Sequence, residues 1–435
     1  MKVIGIDIGT TSICAVLFDC EENRIIKSLT KTNNSFIVSQ KAYERIQDTE
    51  EIMKTVYGLL DEIGTDGVGA IGFSGQMHGI VYTDENGNAL SPLYTWQDER
   101  AAMTAESGKT YAEEIGCYSG YGLATDYYNE KNGIVPENAK YICTVADYAV
   151  MQLCSLQKPV VHITNAASLG CFDVEKNEFK LNNPRLPEVT SEFKAVGYCK
   201  GIPMCVALGD NQASFIGSVS SEDDALINVG TGAQISWLTD EIINSKTVEL
   251  RPFDGKKYLA AGCSLCGGRS FAMLEKFLRE AAELATGERV DSVYPQLNRL
   301  LETKLETDLK ADCRFCGTRN DPNLRGGIFN ITEKNFTVGD FALSVLRGIS
   351  AELYDMYKES GAELSGIVGS GNGIRKNPAL QRIVCGMFEC RIKIPYYEEE
   401  AAFGAALASL VACGECESIR SACSKIRYRG DTDVL

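Results

Sequence analysis

The sequence predicts an α/β protein built from two related domains, and three observations predict it. Short apolar strands alternate with amphipathic helices along the chain, the pattern of helices packed on sheets. A hairpin with a glycine-containing tip occurs twice, at residues 3–19 around Gly9-Thr10-Thr11 and at residues 225–238 around Gly230-Thr231. Two copies of one unit imply two related domains. The polar stretch Ser218–Asp224 lies between the copies and places the domains at 1–220 and 221–435.

The chain has 435 residues, with 43 basic and 59 acidic side chains and a net charge of −16. Apolar residues make up 44% and charged residues 23%, which excludes a disordered or collagen-like chain. The acidic balance argues against a nucleic-acid partner, which calls for a basic face. Asp7 interrupts the first apolar run, so that run does not read as a signal peptide. The weakly apolar stretch 401–413 is too short to span a bilayer. A cytoplasmic enzyme of small molecules is expected, with no membrane partner, as a monomer or homodimer. The 17 cysteines read as free thiols in a reducing compartment. Three CxxC pairs, Cys263/Cys266, Cys313/Cys316 and Cys413/Cys416, offer a zinc alternative, but the first two lie too far apart for a compact zinc ribbon.

The elements follow in order. Residues 50–63 have helical spacing and 68–73 form a short β run. Residues 141–153 read as a helix with Asp147 on its wet face. Residues 204–208 read as a buried strand ending at Gly209-Asp210. In the second half, 269–286 and 338–357 are long helical patterns, 364–368 a strand, and 378–388 a helix opened by Pro378. Residues 399–410 form a small-residue helix able to pack closely. The tail from Glu415 is polar and carries no readable role.

The chemistry sits at the ends of these elements. The P-loop pattern GxxxxGK[ST] is absent, but a Gly-Thr tip turns consecutive N–H groups into one concavity, an anion cradle. Two such tips can clamp a polyphosphate from two domains. Asp7, in the strand before the first tip, is a candidate for Mg²⁺ through water; capping the hairpin is the simpler alternative. Residues 369–377 (GSGNGIRKN) follow a strand and precede a helix. Ile374 breaks the dinucleotide pattern, leaving either a glycine-lined approach to a flat ligand such as adenine or a tight turn. Gln76, Met77 and His78, with Trp96 and Asp98, combine amide, imidazole, indole and carboxylate, a mixture suited to a polyol. Core packing is the alternative for His78 or Trp96 taken alone. Asp210 closes an apolar strand, where a carboxylate meets the usual ligand crevice and can take a hydroxyl proton. Capping the helix that follows is the alternative.

In order, DIGTTS, SGQMHG, TWQDER, ALGDNQAS, NVGTGA and GSGNGIRKNPAL resemble the FGGY family of carbohydrate kinases, from Met1 to about Leu410. The resemblance implies two ribonuclease-H-like (actin-type ATPase) domains with an interdomain cleft. It implies Mg²⁺-dependent transfer of the ATP γ-phosphoryl group to a sugar hydroxyl. On this resemblance Asp210 is the catalytic base and Asp7 the metal-associated carboxylate. Thr10, Thr11 and Ser12 meet phosphate in the first loop and Gly230, Thr231 and Gly232 in the second. Gly373 and Asn377 meet adenosine, and Gln76, Met77, His78, Trp96, Asp98 and Asn211 meet the sugar. On this resemblance the substrate is a ketose, sedoheptulose giving its 7-phosphate, with xylulose or another polyol as the alternative. Tyr127-Tyr128-Asn129 and Asp126 depart from the family pattern. A non-catalytic actin-like ATP-binding regulator is the alternative of another class; it has no use for Asp210 or the Gln-Met-His cluster.

Overall fold

Near-continuous apolar runs make strands that must be covered on both faces. The first two, β1 (Lys2–Ile8) and β2 (Ser12–Asp19), are buried along almost their whole length. In the computed structural model, which describes residues 1–319 and 321–430, the chain forms two units. The first comprises Met1–Ser220, Arg251–Tyr258 and Glu399–Ile426; the second comprises Ser221–Leu250, Leu259–Glu398 and, of the described residues, 427–430.

The first unit is built on a seven-stranded mixed sheet. β1 and β2 pair antiparallel through the Gly9-Thr10-Thr11 turn, and β3 (Arg24–Thr32) adds to β2. β4 (Val68–Gly75) runs parallel to β1, with Gly5 opposite Gly72 and Asp7 opposite Ser74. β5 (Ala195–Cys199) and β6 (Ile202–Cys205) complete the order β5-β6-β4-β1-β2-β3, while β7 (Leu208–Gly209) also pairs with β4. The parallel strands thus deliver Asp7, Gln76 and Asp210 at or just beyond their C-terminal ends. Asp48 caps the helix Thr49–Ile63 by accepting from the N–H groups of Glu50 and Glu51, and Ile52, Val56, Leu59 and Ile63 turn its apolar face to the core. The helix Glu400–Ala412 lies against β1 and β4. The tail beyond Glu415, polar in sequence, forms a helix over Ile419–Cys423 that buries Ala422 and Cys423.

Residues 141–153 do not form one helix. Tyr141–Cys143 is a strand paired with Val81–Thr83, and the helix is Val145–Cys154. Asp147 is not on a wet face: it is 2% exposed. It is the third helical residue of a capping box with Thr144, whose hydroxyl donates to Asp147 Oδ2 at 2.6 Å. Burial pushes its carboxyl up to about 7. A carboxyl raised in the folded state stays protonated there while the unfolded chain releases its proton, so stability falls as pH rises from about 4 to 7. Asp147→Asn keeps an acceptor for the cap and removes that titration. In urea unfolding across this window, the variant is expected to lose less stability than the parent, by up to about 1.4 kcal/mol per pH unit; equal slopes would refute the assignment.

The second unit repeats the topology. β8 (Asp224–Val229) and β9 (Ala233–Thr239) pair antiparallel through Gly230-Thr231-Gly232. With β10 (Val248–Pro252), β11 (Tyr258–Ser264), β12 (Gly366–Ser370) and β13 (Ile392–Lys393), the order is β10-β11-β9-β8-β12-β13. β12 runs parallel to β8, as β4 does to β1. Its core packs Ile227, Ile235 and Trp237 with Leu346, Ile349 and Leu353 of the helix Val338–Ser360.

Candidate active site

In the first unit the Gly-Thr tip is held from three sides. Asn33 Nδ2 donates to Gly9 O (2.9 Å) and Gln47 Nε2 to Thr10 O (2.9 Å), while the Asn33 N–H donates to Thr11 O (2.9 Å). Trp96 Nε1 donates to Thr10 Oγ1 (3.0 Å), and buried Gln76 bonds Gln47 through Nε2 (2.8 Å). Thr10 therefore joins the loop to the Trp96 and Gln76 segments. Thr11 is exposed and Ser12 half-buried beside it.

His78 has φ +73°. Its Nδ1 lies 2.8 Å from Ser168 O. A carbonyl only accepts, so Nδ1 carries a proton in this contact. The imidazole stacks on Tyr121 at 4.2 Å and 18°. Met77 is buried, with Sδ 3.3 Å from Asn211 Nδ2; the same amide donates to Asp210 Oδ1 at 2.9 Å. Met77, Asn211 and Asp210 thus form one contiguous group. Asp210 is the first residue of the helix Asp210–Ile216 and Gly209 is its cap, so the helix-capping alternative for this carboxylate fails. Burial strips its carboxylate of water and, together with the charge of Asp7 and against that of Arg251, raises it to about 7. Asp7 itself is raised to about 6 by burial, against the 2.7 Å hydrogen bond from Ser74 Oγ.

Asp98 is placed differently from its neighbours. It is fully buried, and its carboxylate takes Arg100 Nε (2.7 Å), Arg100 Nη2 (3.1 Å) and the Arg45 N–H (3.1 Å). Arg100 in turn donates to Asn129 (2.7 Å). Asp126, unplaced by sequence, is buried beneath Arg185 (2.9 Å) and the Tyr82 hydroxyl (2.7 Å). Asn129 of the Tyr-Tyr-Asn departure thus belongs to a buried polar network that supports the Trp96 segment, while the Tyr127 hydroxyl donates to Glu114 (2.9 Å).

In the second unit Gly230, Thr231, Gly373 and Asn377 line a cavity of 890 Å³ with Phe271, Tyr294 and Leu346. The second loop is pinned by the helix Gly267–Thr286: Gly268 N–H donates to Gly230 O (2.9 Å) and Arg269 N–H to Thr231 O (3.0 Å). Gly232 closes the turn by accepting from Gly230 N–H (3.0 Å). A Cβ on Gly373 would fall 2.7 Å from Val229 O, so only glycine lets this turn meet β8. Asn377 Oδ1 accepts the Leu380 N–H (3.0 Å) and caps the helix Pro378–Phe388. The cavity has apolar walls and a glycine-lined polar end, a lining that suits a small flat ligand with a polar group. Sequence reading missed Tyr121, Gln47, Gly268 and Arg269. Only the last two carried a signal, the Gly-Gly-Arg between a strand and a helix.

Among the described residues, no group of three or more His, Cys, Asp or Glu side chains is placed to hold a metal. Among the described residues, no helix is long and apolar enough to cross a membrane.

Residues 2–192 match the N-terminal domain of the FGGY family of carbohydrate kinases and residues 225–413 its C-terminal domain. Sedoheptulokinase of Mus musculus is 27% identical over 94% of this chain and 97% of its own. A xylulose kinase of Staphylococcus epidermidis is 25% identical over 96% and 89%. Among solved structures, a ligand-bound xylulose kinase from Lactobacillus acidophilus superposes with TM-score 0.82 at 20% identity, over 98% of this chain and 92% of that one. Glycerol kinase of Plasmodium falciparum with ADP gives 0.80 at 19%, over 97% and 92%. These neighbours carry the two-domain ribonuclease-H-like fold, and the chain belongs to the FGGY family of carbohydrate kinases, enzymes that move a phosphoryl group from ATP to a sugar.

Proposed function

We propose that the protein phosphorylates a ketose with ATP and Mg²⁺, sedoheptulose at its 7-hydroxyl, with Asp210 as general base. The observation that carries this reading is the Asp210–Asn211–Met77 group, whose carboxylate is raised to about 7. A base works best when its pKa lies near the working pH, because it is then available yet still basic enough to take a proton. The acceptor hydroxyl gives its proton to Asp210 as its oxygen bonds to the γ-phosphorus of ATP, whose bond to the β–γ bridging oxygen breaks and releases ADP. Tyr121 and Trp96 offer aromatic faces to sugar C–H groups, while His78 and Asn211 orient hydroxyls. Asp98, spent on Arg100 and Arg45, holds the Trp96 segment in place. The Gly-Thr loops bind phosphate, and the Gly373–Asn377 turn lies against adenosine.

The carboxylates suit Mg²⁺. Asp7 and Asp210 are close enough for the charge of one to raise the other, and Mg²⁺ is usually held by one or two carboxylates plus substrate phosphates. Asp7, through water, would hold the ion, which when bound neutralises charge on the transferring phosphates.

ADP release measured with ATP and Mg²⁺, without sugar and then with sedoheptulose, xylulose, ribulose or glycerol, tests the reading. Stimulation is expected with sedoheptulose above all. The similarity to xylulose kinases supports xylulose as the second reading, and strongest stimulation by xylulose would select it. No stimulation by any of the four would overturn the ketose assignment.

A further inference from the structure

We infer that Cys266 and Cys316 form a thiol-modification site at the nucleotide cavity, where a small disulfide such as oxidised glutathione reacts at Cys316, Cys266 closes the bond, and nucleotide binding weakens. The two sulfurs lie 3.5 Å apart. Their CxxC partners are turned elsewhere: Cys263 Sγ donates to Gln234 Oε1 (3.4 Å) and Cys313 Sγ to Val345 O (3.4 Å). Two-sulfur chemistry therefore remains where the sequence offered four.

The residues differ in access and charge. Cys266 is buried at the start of the helix Gly267–Thr286, and Cys316 is half-exposed in the turn after Lys310–Asp312. Arg269 Nη1 lies 3.4 Å from Cys316 Sγ and holds that thiol below its ordinary range, while burial raises Cys266. A thiol beside a guanidinium is the one that attacks. The Cys316 thiolate bonds to one sulfur of oxidised glutathione and expels the other as glutathione thiolate. Cys266 then attacks the Cys316 sulfur, forms the internal disulfide, releases the second glutathione and gives its proton to the thiolate that leaves.

Closure shortens the sulfur separation to about 2.05 Å, which moves the 313–317 turn or the helix start, or both. That helix start carries Gly268 and Arg269, whose N–H groups pin Gly230 and Thr231, and Arg269 loses its thiolate partner. The effect on binding rests on the cavity being the nucleotide site.

The full chain is incubated with oxidised glutathione, its remaining thiols are alkylated, and its peptides are mapped by mass spectrometry; ADP affinity is measured alongside. A peptide pair joined through Cys266 and Cys316 is expected, with ADP affinity lowered about tenfold, the scale of one lost charge-assisted contact, and restored by dithiothreitol. Cys316→Ser is expected to hold its ADP affinity through the same treatment. Free alkylation of Cys316, glutathione persisting on Cys316 without the link, or an equal loss of affinity in Cys316→Ser would overturn the site. A joined pair with unchanged affinity would overturn its coupling to the cavity. Failure of the reduced protein to bind ADP would count against the functional reading, since the peptide map decides the linkage by itself.

Discussion

Asp210→Asn is expected to lower kcat by about 10²- to 10⁴-fold, the range lost with a positioned general base, while leaving ATP affinity unchanged. The substitution is nearly isosteric. The amide oxygen still accepts from Asn211 Nδ2, so the contact to Met77 and the start of the helix Asp210–Ile216 survive. What is lost is the ability to take a proton. The pH profile separates this from a structural effect. With the carboxyl at about 7, kcat/KM of the parent is expected to rise with pH through that value and then level, since only the ionised form accepts a proton. Mg²⁺ bound near Asp7 would draw the inflection lower, because a cation favours the carboxylate. The residual activity of the variant is expected to show no such inflection. Parent-like turnover, or an inflection that persists in the variant, would remove Asp210 from the role.

The same residue shows what sequence can and cannot say. Strand, Gly-Asp and helix were legible locally, because an apolar run ending in a turn is a local pattern. Setting the cap aside and finding a raised carboxyl needed the tertiary surroundings, since the desolvation and the opposing charges of Asp7 and Arg251 come from distant segments. The repeated Gly-Thr hairpin was legible as well, but only over a dozen residues. Strand register extends it: Asp7 lies opposite Ser74 and Asn228 opposite Ser370, so Ser74-Gly75 and Ser370-Gly371 occupy matching places. The first unit has a carboxylate at this place and the second an amide, which confines the candidate metal ligand to one loop. Parallel pairing between strands far apart in the chain leaves no local trace, so this part of the duplication was hidden. Asp147 was misplaced although its signal was present. Thr144 and Asp147 have capping-box spacing, but the apolar periodicity was carried through the cap into the strand before it. Tyr121 had no signal at all; it reaches His78 only because the helix Gly122–Lys131 starts there.

The second large effect belongs to the sheet beneath the site. Gly72→Ala is expected to destabilise the first unit by about 1–3 kcal/mol or more, the usual range for overpacking a close-packed interior. A Cβ there would fall 1.9 Å from Ala405 O, in the helix Glu400–Ala412. Backbone oxygen cannot swing aside as a side-chain tip does, so the helix or the strand must move. Gly5, the register partner of Gly72, meets Ala402 O in the same way at 1.8 Å, so the pair makes a flat patch that the small-residue helix covers. Movement there is transmitted along β1 to Asp7 and Thr10 and along β4 to Gln76 and His78. Turnover is therefore expected to fall together with the urea midpoint. Gly58→Ala supplies the opposite sign. Gly58 lies within the helix Thr49–Ile63, and a Cβ there would approach only Lys31 Nζ, at 3.7 Å. Removing a helical glycine stabilises by about 0.5–1 kcal/mol, so the Gly58 variant is expected to unfold at higher urea than the parent with unchanged turnover. Two glycine-to-alanine changes of opposite sign in one unit separate contact at the sheet from the general conformational freedom of glycine. If Gly72→Ala left both the midpoint and turnover at parent values, the helix would not be seated on the strands as described.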